Sequence, residues 1–311
     1  MRIALTGASG FLGRKFVAKA LAAGHQIRSL TRAGGDDGRV QMIQGSLENA
    51  AAVNELVRGA DVLVHLAAAG VSSDQREWDT AMSVNVVGTA ALIRAAALEG
   101  VRHSVVAGTC LEYRGYGRLP DQPWVGSPVL CKEESPLEPV GCYCSSKAAG
   151  GILARSIARE TSHSLWYLRF ATMYGPGDNS NKVLPAALAA AVTRTEFATT
   201  PGEQIRDWLW VEDAARALLR ACEFRPPSTV EICNVGTGVG HALRDVLGLM
   251  YQVAGADHRT LRTGSRSYRF GEPHVLVLDP SRFGVLLDSS PMVGLEEGLQ
   301  QWVRRSRELA Q

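Results

Sequence analysis

What the chain lacks narrows the field first. Over 311 residues the formal charge is only +2, and no basic block interleaved with aromatics stands out, so a nucleic-acid surface is not expected. The cysteines Cys110, Cys131, Cys142, Cys144, Cys222 and Cys233 are scattered. Without disulfide-framework spacing or a C-x-x-C pair they argue against a disulfide scaffold and against a metal centre, and for a reducing cytoplasm. No apolar run reads as long enough to span a bilayer, the alanine-rich tract 184–192 included, so no membrane partner is expected. Residues 1–7 enter a strand directly, with no signal-peptide pattern. Repeats, low-complexity tracts and a detachable linker are missing too.

What is present is an alternation. Apolar strands are predicted at 2–6, 26–31, 40–44, 62–66, 104–107, 165–170 and 230–235, with a strand-like stretch at 204–210. Helices are predicted at 11–23, 50–57, 75–99, from 143 onward, and at 183–192, 212–223, 241–253 and 295–307. Strands alternating with helices at this spacing predict right-handed βαβ units and a parallel sheet covered on both faces. Between 111 and 139 the sequence holds Pro120, Pro123, Pro128, Pro136 and Pro139 and reads as an irregular excursion, of the kind that tends to be functional. The expected class is α/β, a Rossmann-type doubly wound parallel sheet with a smaller C-terminal α/β cap. The expected division gives residues 1–172, with 207–235 returning, to the dinucleotide, and 173–206 and 236–311 to the substrate.

Thr6-Gly7-Ala8-Ser9-Gly10-Phe11-Leu12-Gly13 follows the first strand directly. Gly7 permits the sharp turn, Gly10 lets backbone approach a pyrophosphate, and Gly13 lets helix and strand pack closely. The helix starting near Phe11 offers free N–H groups and a positive dipole end. An NAD site usually has an acid at the end of the second strand, on the ribose 2′-hydroxyl. Here the strand ends Leu30-Thr31-Arg32, and an arginine there suits a 2′-phosphate. NADP is favoured, with NAD possible.

Tyr143 and Lys147 lie four apart at the start of a helix, on one face. An ammonium there stabilises phenolate, drawing a tyrosine with an ordinary pKa of about 10 toward neutrality. Such a pair beside a nucleotide turn points to hydride chemistry.

With Thr6–Gly13, the chain carries in order His65-Leu66-Ala67-Ala68, Asn85-Val86-Val87-Gly88-Thr89, Thr109 through Tyr113, Tyr143 with Lys147, residues 169–176, and Arg206-Asp207-Trp208 followed by Val211-Glu212-Asp213. This series resembles the extended short-chain dehydrogenase/reductases, the nucleotide-sugar epimerase/dehydratase group, over essentially the whole length. The resemblance implies that Thr109 orients a carbonyl or hydroxyl, that Tyr143 is the general acid/base, and that Lys147 tunes Tyr143 and holds the nicotinamide ribose. It implies cofactor contacts from Gly7, Ser9, Gly10, Phe11, Leu12, Gly13, Arg32, Ser46, Leu47, Leu66, Ala67, Ala68 and Asn85. Asn85 would be a supporting residue and His65 a strand-end residue. Arg206 matches the arginine that meets a sugar-nucleotide diphosphate. Arg269 is a second candidate for that task, and Asn181 and Lys182 are candidates to line the nucleotide pocket. A homodimer through the long helices is also implied. Ser46 departs from the family's usual aspartate, and Cys144 from its small residue.

Within that family, dehydratases need a carboxylate pair directly after the catalytic Ser/Thr. Cys110 and Leu111 stand there, which disfavours elimination. Reductases that also epimerise neighbouring carbons carry a cysteine two residues after the serine and a histidine after the Tyr-Gly-Pro turn, where this chain has Leu111 and Gly177. The string Gly108-Thr109-Cys110-Leu111-Glu112-Tyr113 is similar to those in reductases of nucleotide-linked 4-keto-6-deoxysugars. The reading is an NADP-dependent 4-ketoreductase of a nucleotide-linked sugar. Its alternatives are a 4-epimerase with retained NAD, a reductase of a small carbonyl compound, and a catalytically silent nucleotide sensor.

Overall fold

Short aliphatic runs separated by amphipathic stretches build the molecule. Its computed structural model describes residues 1–32, 38–71, 77–127, 129–268, 271–287 and 292–308. In chain order the strands are β1 (Arg2–Thr6), β2 (Gln26–Thr31), β3 (Gln41–Gln44), β4 (Val62–His65), β5 (His103–Thr109), β6 (Tyr116–Leu119), β7 (Leu130–Cys131) and β8 (Leu165–Phe170). There follow β9 (Thr172–Tyr174), β10 (Phe197–Ala198), β11 (Ile205–Trp210), β12 (Val230–Val235), β13 (Gly240–Ala242), β14 (Leu261–Arg262) and β15 (Glu272–Leu278). The α-helices are α1 (Phe11–Ala22), α2 (Ala50–Val57), α3 (Trp78–Met82), α4 (Thr89–Glu99), α5 (Cys142–Glu160), α6 (Val183–Thr193), α7 (Val211–Glu223), α8 (Leu243–Ala254), α9 (Ser281–Leu287) and α10 (Leu295–Glu308).

Seven parallel strands in the order β12-β8-β5-β4-β1-β2-β3 form the main sheet. Alternation along each strand feeds two cores. Ile3, Leu5, Val62, Val64 and Val105 pack on the side of Phe16 in α1 and Leu218 in α7. Ala4, Leu63 and Val106 pack on the other, against Leu56 in α2, Leu92 in α4 and Ala154 in α5. The sheet is therefore Rossmann-type and doubly wound. Its order reverses between β1 and β4, and the crevice beyond their carboxyl ends is where such sheets take ligands.

A second sheet, ordered β13-β11-β15-β6 with β7 on β15 and β9 on β11, lies next in the chain's architecture. Here expectation and structure part. The excursion 111–139 contributes β6 and β7, which pair with β15 from beyond residue 270. No local pattern announces a partner that distant, and neither β15 nor α9 is foreseen. The helix expected at 241 begins at Leu243, because His241 pairs with Arg206 as strand β13.

The helix expected over 75–99 is described from Trp78 and is broken by a π-helical turn, Ser83–Gly88. At 22 residues, with an 18-residue window of mean hydropathy 1.5, it meets the length and apolarity of a membrane span, contrary to the expectation. A buried helix of a core passes the same test, and Leu92, Ile93 and Ala96 are fully covered here.

Three histidines are buried in this fold and held neutral mainly by desolvation: His65 with its pKa pushed down to about 3, and His103 and His163 to about 4. All three sit below the ordinary 6.5, so the unfolded chain takes up protons first as pH falls. Their stability contribution is complete above about pH 6.5 and declines below it, each approaching about 1.4 kcal/mol per pH unit. Urea midpoints should therefore fall steeply between about pH 6 and about pH 4. A flat profile would show that these rings are not buried neutral.

Candidate active site

The turn after β1 is built around missing side chains. Gly7 has φ +79°, and a Cβ there would stand 2.6 Å from the Ala67 nitrogen and 2.7 Å from the Leu66 carbonyl carbon. A Cβ on Gly13 would stand 2.0 Å from the Gly7 oxygen. Gly10 donates its N–H to the Gly7 carbonyl at 3.1 Å and precedes α1, whose first turn no side chain caps. Open N–H groups at a helix start, behind a cradle that side chains would fill, fit a dinucleotide pyrophosphate. Ser9 and Gly10 are exposed, Phe11 is half-buried and Leu12 is buried.

Around this turn, Arg32 is exposed just after β2. Ser46 accepts the Glu48 N–H at 3.3 Å, and buried Leu47 packs where a Cβ on Gly88 would come within 2.8 Å. The backbone N–H groups of Leu66 and Ala67 bond to Thr6, at its carbonyl and its hydroxyl, and Ala68 follows.

Behind β4 runs a buried relay that its residue types alone do not announce. Thr89 gives its hydroxyl proton to the Asn85 carbonyl at 2.8 Å, so its oxygen accepts from His65 Nε2 at 2.9 Å. His65 Nδ1 then accepts from the Thr6 hydroxyl at 2.7 Å. His65 thus links the nucleotide turn to the π turn. Asn85, on that turn, clasps residue 69 with both amide atoms, accepting from its N–H at 2.8 Å and donating to its carbonyl at 2.9 Å. It also donates to Ser146 Oγ at 2.9 Å. A Cβ on Gly150 would sit 1.9 Å from the Asn85 carbonyl oxygen, so α5 lies directly on this turn.

α5 brings Tyr143 and Lys147 to the end of β5. Lys147 is buried and its Nζ donates to the Ala107 carbonyl at 2.7 Å. The Tyr143 phenol meets the Thr109 hydroxyl, so the structure gathers all three candidate catalytic residues. Burial pushes Tyr143 well above the ordinary phenol, with Cys144, Glu112 and Cys110 adding to the rise and the Thr109 hydrogen bond opposing it. Burial likewise lowers Lys147, opposed by Glu112. In this geometry the ammonium is spent on a carbonyl and the phenol is held protonated.

The expected substrate residues are dispersed. Arg206 is buried, and its guanidinium bonds to the Ile205, Pro273 and His274 carbonyls and to Glu272 at 3.0 Å. Lys182 pairs with Asp178 at 2.9 Å and its ammonium stands 5.7 Å from the Phe11 ring centre, over the nucleotide turn. Asn181 donates its N–H to Asn179 Oδ1 at 2.9 Å. Arg269 lies outside the described residues. One contact had no sequence signal: Arg14 bonds to the Ser9 carbonyl at 2.6 Å and to the Gly177 carbonyl at 2.7 Å, joining the nucleotide turn to the loop after β9.

Residues 3–236 match the model of the NAD dependent epimerase/dehydratase family. The chain belongs to that family. Its members here are enzymes of the extended short-chain dehydrogenase/reductase type. A dTDP-glucose 4,6-dehydratase of Mycolicibacterium smegmatis is 30% identical over 71% of this chain and 68% of its own length. A UDP-glucose 4-epimerase of the same organism is 28% identical with both chains covered completely. Among solved structures, the dTDP-glucose 4,6-dehydratase DesIV of Streptomyces venezuelae, with NAD and TYD bound, superposes with a TM-score of 0.86 at 26% identity, covering 99% of this chain and 97% of that one.

The chain places a hydroxyl residue, Thr109, at the end of β5. Thr109 opens a single 3₁₀ turn, Cys110–Glu112, as a capping box. Glu112 is buried and accepts the Thr109 N–H at 2.9 Å, the Tyr167 hydroxyl at 2.8 Å and Arg169 Nε at 2.9 Å. Sequence reading gave Glu112 no role, although Thr-x-x-Glu is the pattern of a capping box. Cys110 is buried and its thiol is pushed up to about 12, chiefly by desolvation.

Asn85→Ala should leave the residue 69 backbone pair and Ser146 without their buried partner. About 2–4 kcal/mol of unfolding free energy should be lost, read as a lower urea midpoint. An unchanged midpoint would mean water replaces the amide there.

Proposed function

We propose that this enzyme reduces a nucleotide-linked 4-keto-(6-deoxy)sugar to its hydroxy sugar without eliminating water. The observation that carries the reading is the residue pair after Thr109. Cys110 is buried with its proton firmly held, and Leu111 has no ionisable group, so neither side chain can run the acid/base work that elimination needs. What remains is proton exchange at one oxygen. Thr109 holds that oxygen, and Tyr143 supplies its proton. A nicotinamide cofactor, seated on the Gly7–Gly13 cradle, supplies the hydride. Lys147 keeps a positive charge beneath the pair.

NADPH is our preferred donor, because Arg32 sits exposed where a 2′-phosphate would meet it. NAD, bound in DesIV, is the alternative. The full-length likeness to a UDP-glucose 4-epimerase favours a second reading, a 4-epimerase that retains NAD. We also infer that residues 1–172 with 207–235 carry the dinucleotide, that 173–206 with 236–311 hold the sugar nucleotide, and that the enzyme works in the cytoplasm as a homodimer. Val87, Ile152 and Leu153 stay 41–63% exposed on the packed turn and helix α5, an apolar face suited to a second copy.

Mixing the protein with NADPH and a panel of nucleotide-linked 4-ketosugars should produce net loss of NADPH absorbance. Interconversion of UDP-glucose and UDP-galactose without net cofactor change would favour the epimerase. Tyr143→Phe should cut turnover by roughly 10²- to 10⁴-fold with cofactor binding retained. Unchanged turnover would overturn the mechanism, and binding without any turnover in the parent would indicate a nucleotide sensor. Ile152→Glu should convert a dimer to a monomer in sedimentation, and a parent that is already monomeric would remove the dimer.

A further inference from the structure

Beneath the catalytic trio lies a carboxylate that touches neither cleft nor solvent. Glu112 is 1% exposed. Its Oε1 takes the Thr109 N–H at 2.9 Å and the Tyr167 hydroxyl at 2.8 Å, and its Oε2 takes Arg169 Nε at 2.9 Å. The Tyr167 hydroxyl also stands 3.3 Å from the Lys147 carbonyl, a second acceptor that shares its single proton. Glycine makes both approaches possible. A Cβ on Gly108 would come within 2.7 Å of Glu112 Oε1, and one on Gly151 within 2.2 Å of the Tyr167 hydroxyl. One carboxylate thus fixes the backbone of Thr109 and, through one phenol, the turn of α5 that bears Lys147.

We propose that Glu112 is a positioning residue for proton transfer, holding Thr109 and the Tyr143–Lys147 turn in register while its charge sets the pH at which the site works. The proposal rests on Tyr143 being the proton donor. The groups facing Glu112 are Tyr167 and Arg169 from β8, the adjacent Tyr113, and Tyr143, Lys147 and Arg155 from α5, while Glu133, from the loop after β7, meets Arg169 through its carbonyl. Arg169 is the direct ion-pair partner. After burial, Glu112 is the next influence on Lys147, raising it, and it also raises Tyr143. Both effects have one sign. Removing the negative charge lets each group give up its proton at lower pH.

Two variants remove the charge: Glu112→Gln, and the double variant Glu112→Gln with Arg169→Met, which leaves no buried cation unpaired. Tyrosine rings isotopically labelled at Cζ give a resonance for Tyr143, assigned by its loss in Tyr143→Phe. It reports ionisation of that phenol with NAD⁺ present, whether or not substrate turns over. In whichever charge-removed variant folds, the midpoint should fall by roughly half a pH unit to one unit, and the pH profile of kcat should move the same way. Tyr167→Phe keeps the charge and breaks the link, so it should lower kcat roughly tenfold with the midpoint in place. An unmoved midpoint in the charge-removed protein overturns the proposal, as does an unaffected kcat in Tyr167→Phe. A parent that reduces no ketosugar while its Tyr143 midpoint still shifts would instead count against the proposed function alone.

Discussion

A single steric allowance governs this molecule: main chain can lie against main chain only where no Cβ intervenes. At Gly7 the end of β4 comes closer than any side chain would tolerate, and at Gly13 helix α1 closes onto the Gly7 carbonyl. That contact brings Ala67 within reach of the Thr6 hydroxyl and lets His65 complete its relay to Thr89. The nucleotide turn, the switch between β1 and β4 and the π turn thus form one hydrogen-bonded unit. Asn85 passes the constraint to α5, again across a glycine, Gly150.

Burial then shapes the proton affinities of the candidate catalytic residues. Desolvation lowers the pKa of Lys147 and raises that of Tyr143. A carbonyl, a hydroxyl and one remote carboxylate hold both groups in a working range of geometry. Because these partners belong to β5 and its capping turn, the proton chemistry is anchored to the sheet.

The parallel sheet and its two covered faces were legible because buried strands such as Val62–His65 and Leu165–Phe170 are apolar throughout, and because glycines at Gly7, Gly10 and Gly13 have few other uses in that order. Tyr143 and Lys147 were legible from spacing, and Thr109 from the family resemblance. The second sheet was not, since β6 and β7 are short and their partner β15 lies most of the C-terminal half away. Glu112 and Arg14 escaped for a different reason. Arg14 acts through two carbonyls, which leave no pattern of partner side chains, and the side-chain partners of Glu112 (Tyr167 and Arg169) come from the distant strand β8. Arg206 shows the converse: its sequence context points to a substrate, yet here its donors are taken by β15 and Glu272.

Arg14 gives two loops far apart in sequence a shared fastening. Its two Nη atoms bond one to the Ser9 carbonyl and one to the Gly177 carbonyl, so neither loop can shift alone without breaking a charge-assisted hydrogen bond.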